Sequence, residues 1–261
     1  MSADTDRTAI ITGGGTGIGR AIVQSMTKDG WHCVIGGRRE DCLQETAQAC
    51  ESHSGTVSIV PGDLRSAQDV SSLVAVTVEH HGRVDAVINN GAMARLMAFP
   101  DWSEADLDAL IETNVRGPIR LVRDAWPHLL LSRGCIINIS SVAVLSPFPG
   151  NGAYGLTKCA LDGLTRAIHS DTAGTGVRVF SIALGAVETT MLRSIVDESL
   201  LPREKTMAPG EIATVAMDCL SGVRDEQIGQ VLYAAIPGFV TTVPAEAEEA
   251  LARFHAPEGV G

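Results

Sequence analysis

One stretch of the chain combines three residue types that could move a proton together. Tyr154, one of only two tyrosines, is followed one helical turn later by Lys158, and Ser141 stands ahead of it across residues 142–153. If Gly152 to Thr172 forms a helix, Tyr154 and Lys158 share a face. An ammonium held near a phenol favours the phenolate and lowers the tyrosine pKa from its reference of about 10. Such a phenol is a usable proton donor and acceptor near neutrality. By chance, about one tyrosine in 20 has a lysine at this spacing. The pair therefore takes its meaning from the elements that position it.

The start of the chain supplies the first of those elements. Thr8 to Thr12 reads as a short buried strand. Gly13-Gly14-Gly15-Thr16-Gly17-Ile18-Gly19 follows, and then a helical run with Ile22, Val23 and Met26 on one side. Trp31 to Gly36 reads as a second apolar strand. Strand, glycine-rich turn, helix, strand is the opening of a dinucleotide-binding unit. The glycines let the backbone approach a pyrophosphate, and the helix N-terminus offers it oriented N–H groups. After the second strand an acid would bond a free ribose 2′-hydroxyl, whereas arginine would accommodate a 2′-phosphate. Here Arg38 and Arg39 precede the first acid, Glu40, which points to NADP(H) over NAD(H).

The alternation continues with strands at Thr56 to Pro61, Ala86 to Asn89, Cys135 to Ser140, Val177 to Leu184 and Gly229 to Ala234. Between them lie helical patterns: one after Ser66, one from Ser103 to about Ser132 that includes Asn114, the Tyr154 helix, and Pro209 to Leu220. The pattern predicts an α/β fold: one doubly wound Rossmann-type domain spanning residues 1–261. Its parallel sheet has about seven strands, with helices on both faces. Ligands then bind outside the carboxyl ends of the strands, where every motif above falls. Residues 187–208, including the apolar, irregular Met191 to Met207, are the expected substrate loop. An acidic tail from about Val243 reads as a surface helix or a frayed end.

Composition excludes several classes. A net charge of −11 disfavours a grip on nucleic acid or an anionic membrane. No apolar run approaches 18 residues, so no segment is expected to span a bilayer. The short polar start, Met1 to Arg7, lacks a signal-peptide core. The six cysteines are scattered, as free thiols in a reducing cytoplasm would be. No histidine or cysteine spacing suggests a metal site.

Taken together, these residues resemble the short-chain dehydrogenase/reductase family in its compact single-domain form, over roughly Thr8 to Tyr233. Thr12 to Gly19 looks like the family's cofactor loop. Asp63-Leu64 matches the pair that contacts adenine, and Asn114 in Thr-Asn-Val-Arg-Gly matches the active-site asparagine. Ser141, Tyr154 and Lys158 match the catalytic serine, tyrosine and lysine, and Val187 and Thr189 the residues that hold the nicotinamide carboxamide. The resemblance implies a cofactor-binding set of Gly13, Gly15, Thr16, Gly17, Ile18, Gly19, Arg38, Arg39, Asp63, Leu64, Asn90, Val187 and Thr189, together with Tyr154 and Lys158. It also implies hydride transfer between NADP(H) and a ketone or secondary alcohol. Ser141 would stabilise the oxygen, Tyr154 would pass the proton, Lys158 would lower the tyrosine pKa and hold the nicotinamide ribose, and Asn114 would position a water. The family is usually dimeric or tetrameric, which implies a homodimer or homotetramer.

Three departures stand out. Asn89-Asn90-Gly91-Ala92 inverts the family's Asn-Asn-Ala-Gly ending. Leu184 replaces a usual proline, and Ala235-Ile-Pro-Gly238 replaces Asp-Gly-Gly. By analogy the substrate walls come from Met93 to Met97, Val142 to Gly150 and Ala186 to about Met207, a mostly apolar set in which Arg95 and Arg193 could meet an anion or face water. A carrier-bound 3-oxoacyl substrate would favour a basic entrance, for which Arg116, Arg120, Arg123 and Arg133 are candidates. However, Gly174-Thr175-Gly176 lacks the arginine that relatives of that type often carry, so a free ketone or alcohol ranks ahead. A non-catalytic NADP(H)-sensing regulator is the rival from another class, but such proteins typically lose the tyrosine or lysine. The two-part epimerases and dehydratases need a longer chain.

Overall fold

Apolar residues at successive strand positions cannot all face one side, so both faces of this sheet must be covered. Ile10 and Ile11 illustrate this in β1 (Thr8–Thr12): both are fully buried, in two different cores. The computed structural model describes residues 7–255. The N-terminal stretch read as lacking a signal-peptide core falls, apart from Arg7, outside the described residues.

The strands β2 (His32–Gly37), β3 (Thr56–Pro61), β4 (Ala86–Asn89), β5 (Cys135–Ser141), β6 (Arg178–Leu184), β7 (Val231–Ile236) and β8 (Phe239–Thr241) join β1 in one sheet of order β3-β2-β1-β4-β5-β6-β7-β8. Every pairing is parallel except β7 with β8. On one face α1 (Gly17–Lys28) packs beside α8 (Pro209–Ser221), burying Ile22, Val23, Met26, Ile212 and Ala213. On the other, α3 (Ala67–His81), α5 (Gly117–Ser132) and α6 (Gly152–Asp171) bury Val70, Leu73, Leu121, Leu129 and Ile168. Each fully buried aliphatic side chain contributes roughly 1.5–3 kcal/mol.

The sheet differs from the expected seven strands by the short antiparallel β8. Its cause is local: Pro237-Gly238 makes a tight turn with Gly238 at φ +71°, which brings Phe239 opposite Ile236. The acidic tail is a docked helix, α9 (Pro244–His255), with Ala247 fully buried in a small core with Val231, Tyr233 and Ala235. The helix expected from Ser103 to Ser132 is three segments: α4 (Glu104–Ile111), a π-helical turn Glu112–Arg116, and α5. Its opening is capped as the sequence suggests, by Ser103 Oγ accepting from Asp106 N.

Strand order reverses between β1 and β4, with β2 and β3 on one side and β5 to β8 on the other. This is the switch point at which doubly wound sheets open a crevice. The glycine loop follows β1, and Asn90 follows β4.

Candidate active site

The glycine loop is built of backbone lying on backbone. A Cβ on Gly19 would sit 2.2 Å from Gly13 O, so no other residue fits there without moving the loop. Gly17 opens α1 with φ +52° and lies against the Thr189 methyl. Thr16 is the N-cap residue but makes no capping bond, so its side chain satisfies none of the first N–H groups of α1. Gly13 and Gly15 belong to the same loop, and Ile18 packs partly buried on the core. Arg20 braces the turn from below, donating to Gly15 O at 2.6 Å and pairing with Glu45. Its position inside an amphipathic helix gave no sign of that task.

Asn90 supports the loop with its side chain, donating to Thr12 O at 2.9 Å and Gly13 O at 3.2 Å. The inverted Gly91-Ala92 has a packing reason. A Cβ on Gly91 would meet Leu64 Cδ1 at 2.9 Å, so Leu64 occupies the space an alanine would fill. Asp63 forms an ion pair with Arg65, whose hydrogen bonds hold the carboxyl below its ordinary range. Arg38 and Arg39 are exposed after β2, and Arg39 reaches back toward Thr16 Oγ1 at 3.5 Å. Val187 is buried and bridges to Met207, closing the base of the segment after β6. Thr189 caps α7 (Thr190–Arg193), accepting from Leu192 N at 3.1 Å. Leu184, in place of proline, simply extends β6, paired with Ser141 and Ala234.

Ser141, Tyr154, Lys158 and Asn114 come from the end of β5, the first two turns of α6 and the π-turn. Tyr154 is half-buried. Burial pushes its phenol up to about 12, and a hydrogen bond with Ser141 opposes that rise. Lys158 is buried, with Nζ donating to Ile139 O at 2.8 Å and lying 5.4 Å from the Tyr154 ring centre. Burial lowers the ammonium to about 8, opposed by the Asp162 carboxylate. Burial, and not the lysine, dominates the phenol. Asn114 is buried and fully engaged: Oδ1 accepts from Met93 N at 2.8 Å, and Nδ2 donates to Met93 O at 2.8 Å and Thr157 Oγ1 at 3.0 Å. Thr157 in turn donates to Tyr154 O at 2.7 Å. The sequence reading missed Thr157 and Asp162, although Asp162 follows Lys158 by one helical turn, a spacing visible in the sequence.

Five of the six arginines weighed as anion sites have acidic partners. Arg95 pairs with Asp106, Arg193 with Glu188, Arg116 and Arg120 with Glu112, and Arg123 with Asp124. Arg133, exposed, ends α5 in the left-handed region at φ 52°. The loops after β4 and β5 are tied together by Met97 N donating to Gly150 O at 2.8 Å. Among the described residues no cluster of three or more His, Cys, Asp or Glu could hold a metal ion, and no helix is long and apolar enough to cross a membrane.

Residues 7–200 match the short chain dehydrogenase family profile. An uncharacterized oxidoreductase of Staphylococcus epidermidis is 31% identical over 192 residues, covering 73% of this chain and 82% of that protein. Another from Staphylococcus aureus is 28% identical over 232 residues, covering 88% and 98%. Among solved structures, a short chain dehydrogenase/reductase family protein superposes with a TM-score of 0.78 at 32% identity, over 87% of this chain and 94% of that one. A Burkholderia cenocepacia short chain dehydrogenase in complex with NADP has the same fold, at TM-score 0.81 and 24% identity over 87% and 96%. The chain belongs to the short-chain dehydrogenase/reductase family and is an oxidoreductase of that family.

Proposed function

We propose that the protein reduces a ketone, or oxidises the matching secondary alcohol, with NADP(H), using Ser141, Tyr154, Lys158 and Asn114. The observation that carries this reading is the convergence of four side chains from three elements at the carboxyl ends of the strands, beside the glycine loop. The loop fits a dinucleotide: it leaves no room for a Cβ at Gly19, and the Thr16 side chain does not cap the first turn of α1. Arg38 and Arg39 would take the 2′-phosphate, and Asp63 and Leu64 the adenine. Asn90 would support the loop, and Val187 and Thr189 would hold the carboxamide end. The bound nicotinamide would supply or accept the hydride.

The chain's own residues handle the oxygen and the proton. Ser141 Oγ donates to the carbonyl oxygen and stabilises its growing charge. Tyr154, held protonated near neutrality by its burial, is in the form that reduction requires. As the phenol gives up its proton, the Lys158 cation, one turn along α6, offsets the phenolate charge. Asn114 fixes the wall by clamping Met93 and, through Thr157, the first turn of α6. Its amide has no hydrogen left to orient a water, so that role would fall to its backbone in the π-turn.

Leu96, Phe148 and Met191 are large apolar side chains left exposed after β4, β5 and β6, which supports a partly apolar substrate. The ion-paired Arg116, Arg120 and Arg123 give little support to a carrier-protein surface. A homodimer or homotetramer is supported by Ile119, Leu131 and Leu156, exposed on α5 and α6. A cytoplasmic setting is supported by six free cysteines. The test is NADPH oxidation with a panel of neutral aryl and alkyl ketones, with Tyr154→Phe as control. Turnover well above the control is expected. Tight NADPH binding with no turnover above it would replace this reading with that of a nucleotide-sensing protein.

A further inference from the structure

We propose that Asp162 is a positioning residue for Lys158: its buried carboxylate, one turn further along α6, is the countercharge that keeps the lysine a cation before any ligand arrives. The inference rests on reading Tyr154 and Lys158 as a proton-transfer pair.

Tyr154, Lys158 and Asp162 follow one another at single-turn intervals on α6, so they form a stripe along one face. The last two are nearly closed off, with Lys158 at 2% and Asp162 at 4% exposure. A buried ammonium is costly unless it is bonded and compensated. Lys158 has one bond, to the neutral Ile139 carbonyl. Asp162 has a bond that suits an ionised carboxylate: Ser181 Oγ on β6 donates to Oδ1 at 2.6 Å. Ser140 Oγ on β5, close enough to Asp162 to favour its ionised form, donates to Lys158 O at 3.3 Å. Hydroxyls of two strands therefore lie beside a carboxylate that is two turns along α6 from Tyr154.

The other ionisable groups around it are few. Arg166 lies one turn beyond Asp162 on α6 and supports its ionised form, and Cys159 is a near neighbour on the same helix. Tyr233 on β7 lies close enough to feel the Asp162 charge and, more weakly, Glu248 of α9. Burial raises Asp162 and lowers Lys158, while each charge favours the other's ionised form.

The chain has only three lysines, Lys28, Lys158 and Lys205, which makes the test direct. The full-length, ligand-free protein is labelled with lysine carrying carbon-13 at Cε and titrated by NMR, with the Lys158 signal assigned by its loss in Lys158→Met. The wild-type midpoint is expected near 8. Asp162→Asn should lower it by about one pH unit, and Asp162→Glu should restore most of that shift. In NADPH-dependent ketone reduction the alkaline limb should move down with it, because removing a fixed negative charge weakens proton binding by the pair. An Asp162→Asn midpoint within a few tenths of wild type would overturn the proposal. If that variant fails to fold, the wild-type midpoint decides alone, and a value below about 7 refutes a working countercharge. The NMR shift needs no substrate. A shift without ketone turnover would therefore remove the proposed reaction and leave the countercharge standing, and turnover without a shift would do the reverse.

Discussion

Replacing Lys158 by methionine should make the ligand-free protein more stable at pH 7 while abolishing its proposed activity. Burial lowers the Lys158 ammonium from 10.5 to about 8. In the unfolded chain the lysine keeps its proton up to about pH 10.4. Between these values the unfolded state binds more protons than the folded one, so stability rises with pH across that window. Below pH 8 the penalty is fully present, about 3 kcal/mol for a shift of this size. Methionine keeps a long apolar stem and sheds the charge. The Ile139 carbonyl loses its donor, which returns roughly 1–2 kcal/mol; the attraction to Asp162 is already contained in the shift. The net expectation is a gain of about 1–2 kcal/mol at pH 7, or roughly 3–6 °C in Tm.

The assay is urea unfolding of both proteins without cofactor at pH 7 and pH 10. By pH 10 the penalty should fall below about 1 kcal/mol, so the advantage of the variant should shrink or reverse. The series stops there because the Tyr154 phenol, raised to about 12, works in the opposite sense. The unfolded chain loses that proton near pH 10 and the folded one near pH 12, so stability falls as pH rises through this upper window. A variant less stable than wild type at pH 7, or a difference that does not change with pH, would refute the argument that Lys158 is held at a cost.

Arg38→Ala combined with Arg39→Ala should weaken NADPH binding by about 10–100-fold and NADH binding little, as read by fluorescence titration; equal losses would remove the 2′-phosphate assignment. Tyr154→Phe should lower kcat for ketone reduction by about 10²–10⁴-fold with NADPH affinity near wild type, and a mild loss would mean that another group moves the proton. Gly19→Ala places a Cβ 2.2 Å from Gly13 O, so cofactor binding should be lost while the circular dichroism spectrum stays near native; binding at wild-type strength would contradict the tight loop.

Strand positions were legible because runs such as Ala-Ile-Ile and Cys-Ile-Ile can only be buried on two faces, and period and composition carry that information locally. The Tyr154 helix was legible within a residue, Gly152–Asp171 against Gly152 to Thr172. The π-turn at Asn114 was not. No propensity distinguishes a π-turn from an α-turn in Glu-Thr-Asn-Val-Arg, and the turn is accompanied by side-chain bonds from Asn114 to Met93 and Thr157, which lie on other elements. Similarly, β8 depends on a proline-glycine turn meeting a free strand edge, and α9 on a single alanine fitting against β7. Charge pairing was the least legible feature. From the sequence, Arg95 and Arg193 could meet an anion or face water, and Arg116, Arg120 and Arg123 could form a basic entrance, whereas Arg95 is paired with Asp106 on α4 and the others with acids of their own segments.

The segment after β6 is tied to its own base: Glu188 accepts from Arg193 Nε at 3.0 Å and from Thr206 Oγ1 at 3.3 Å, and Glu188 N donates to Met207 O at 2.9 Å. Its two limbs therefore join at one carboxylate, which Arg193 holds below its ordinary range. Fraying either limb would leave Glu188 or Arg193 without its partner. The opposite wall is joined to itself through Met97 and Gly150, and to α6 through Asn114 and Thr157. These two assemblies leave large apolar side chains exposed, Leu96 and Phe148 on one and Met191 on the other, and on the proposed reading these would set selectivity. On the proposed reading the charged groups nearby hold the walls, and the uncharged ones would meet the substrate.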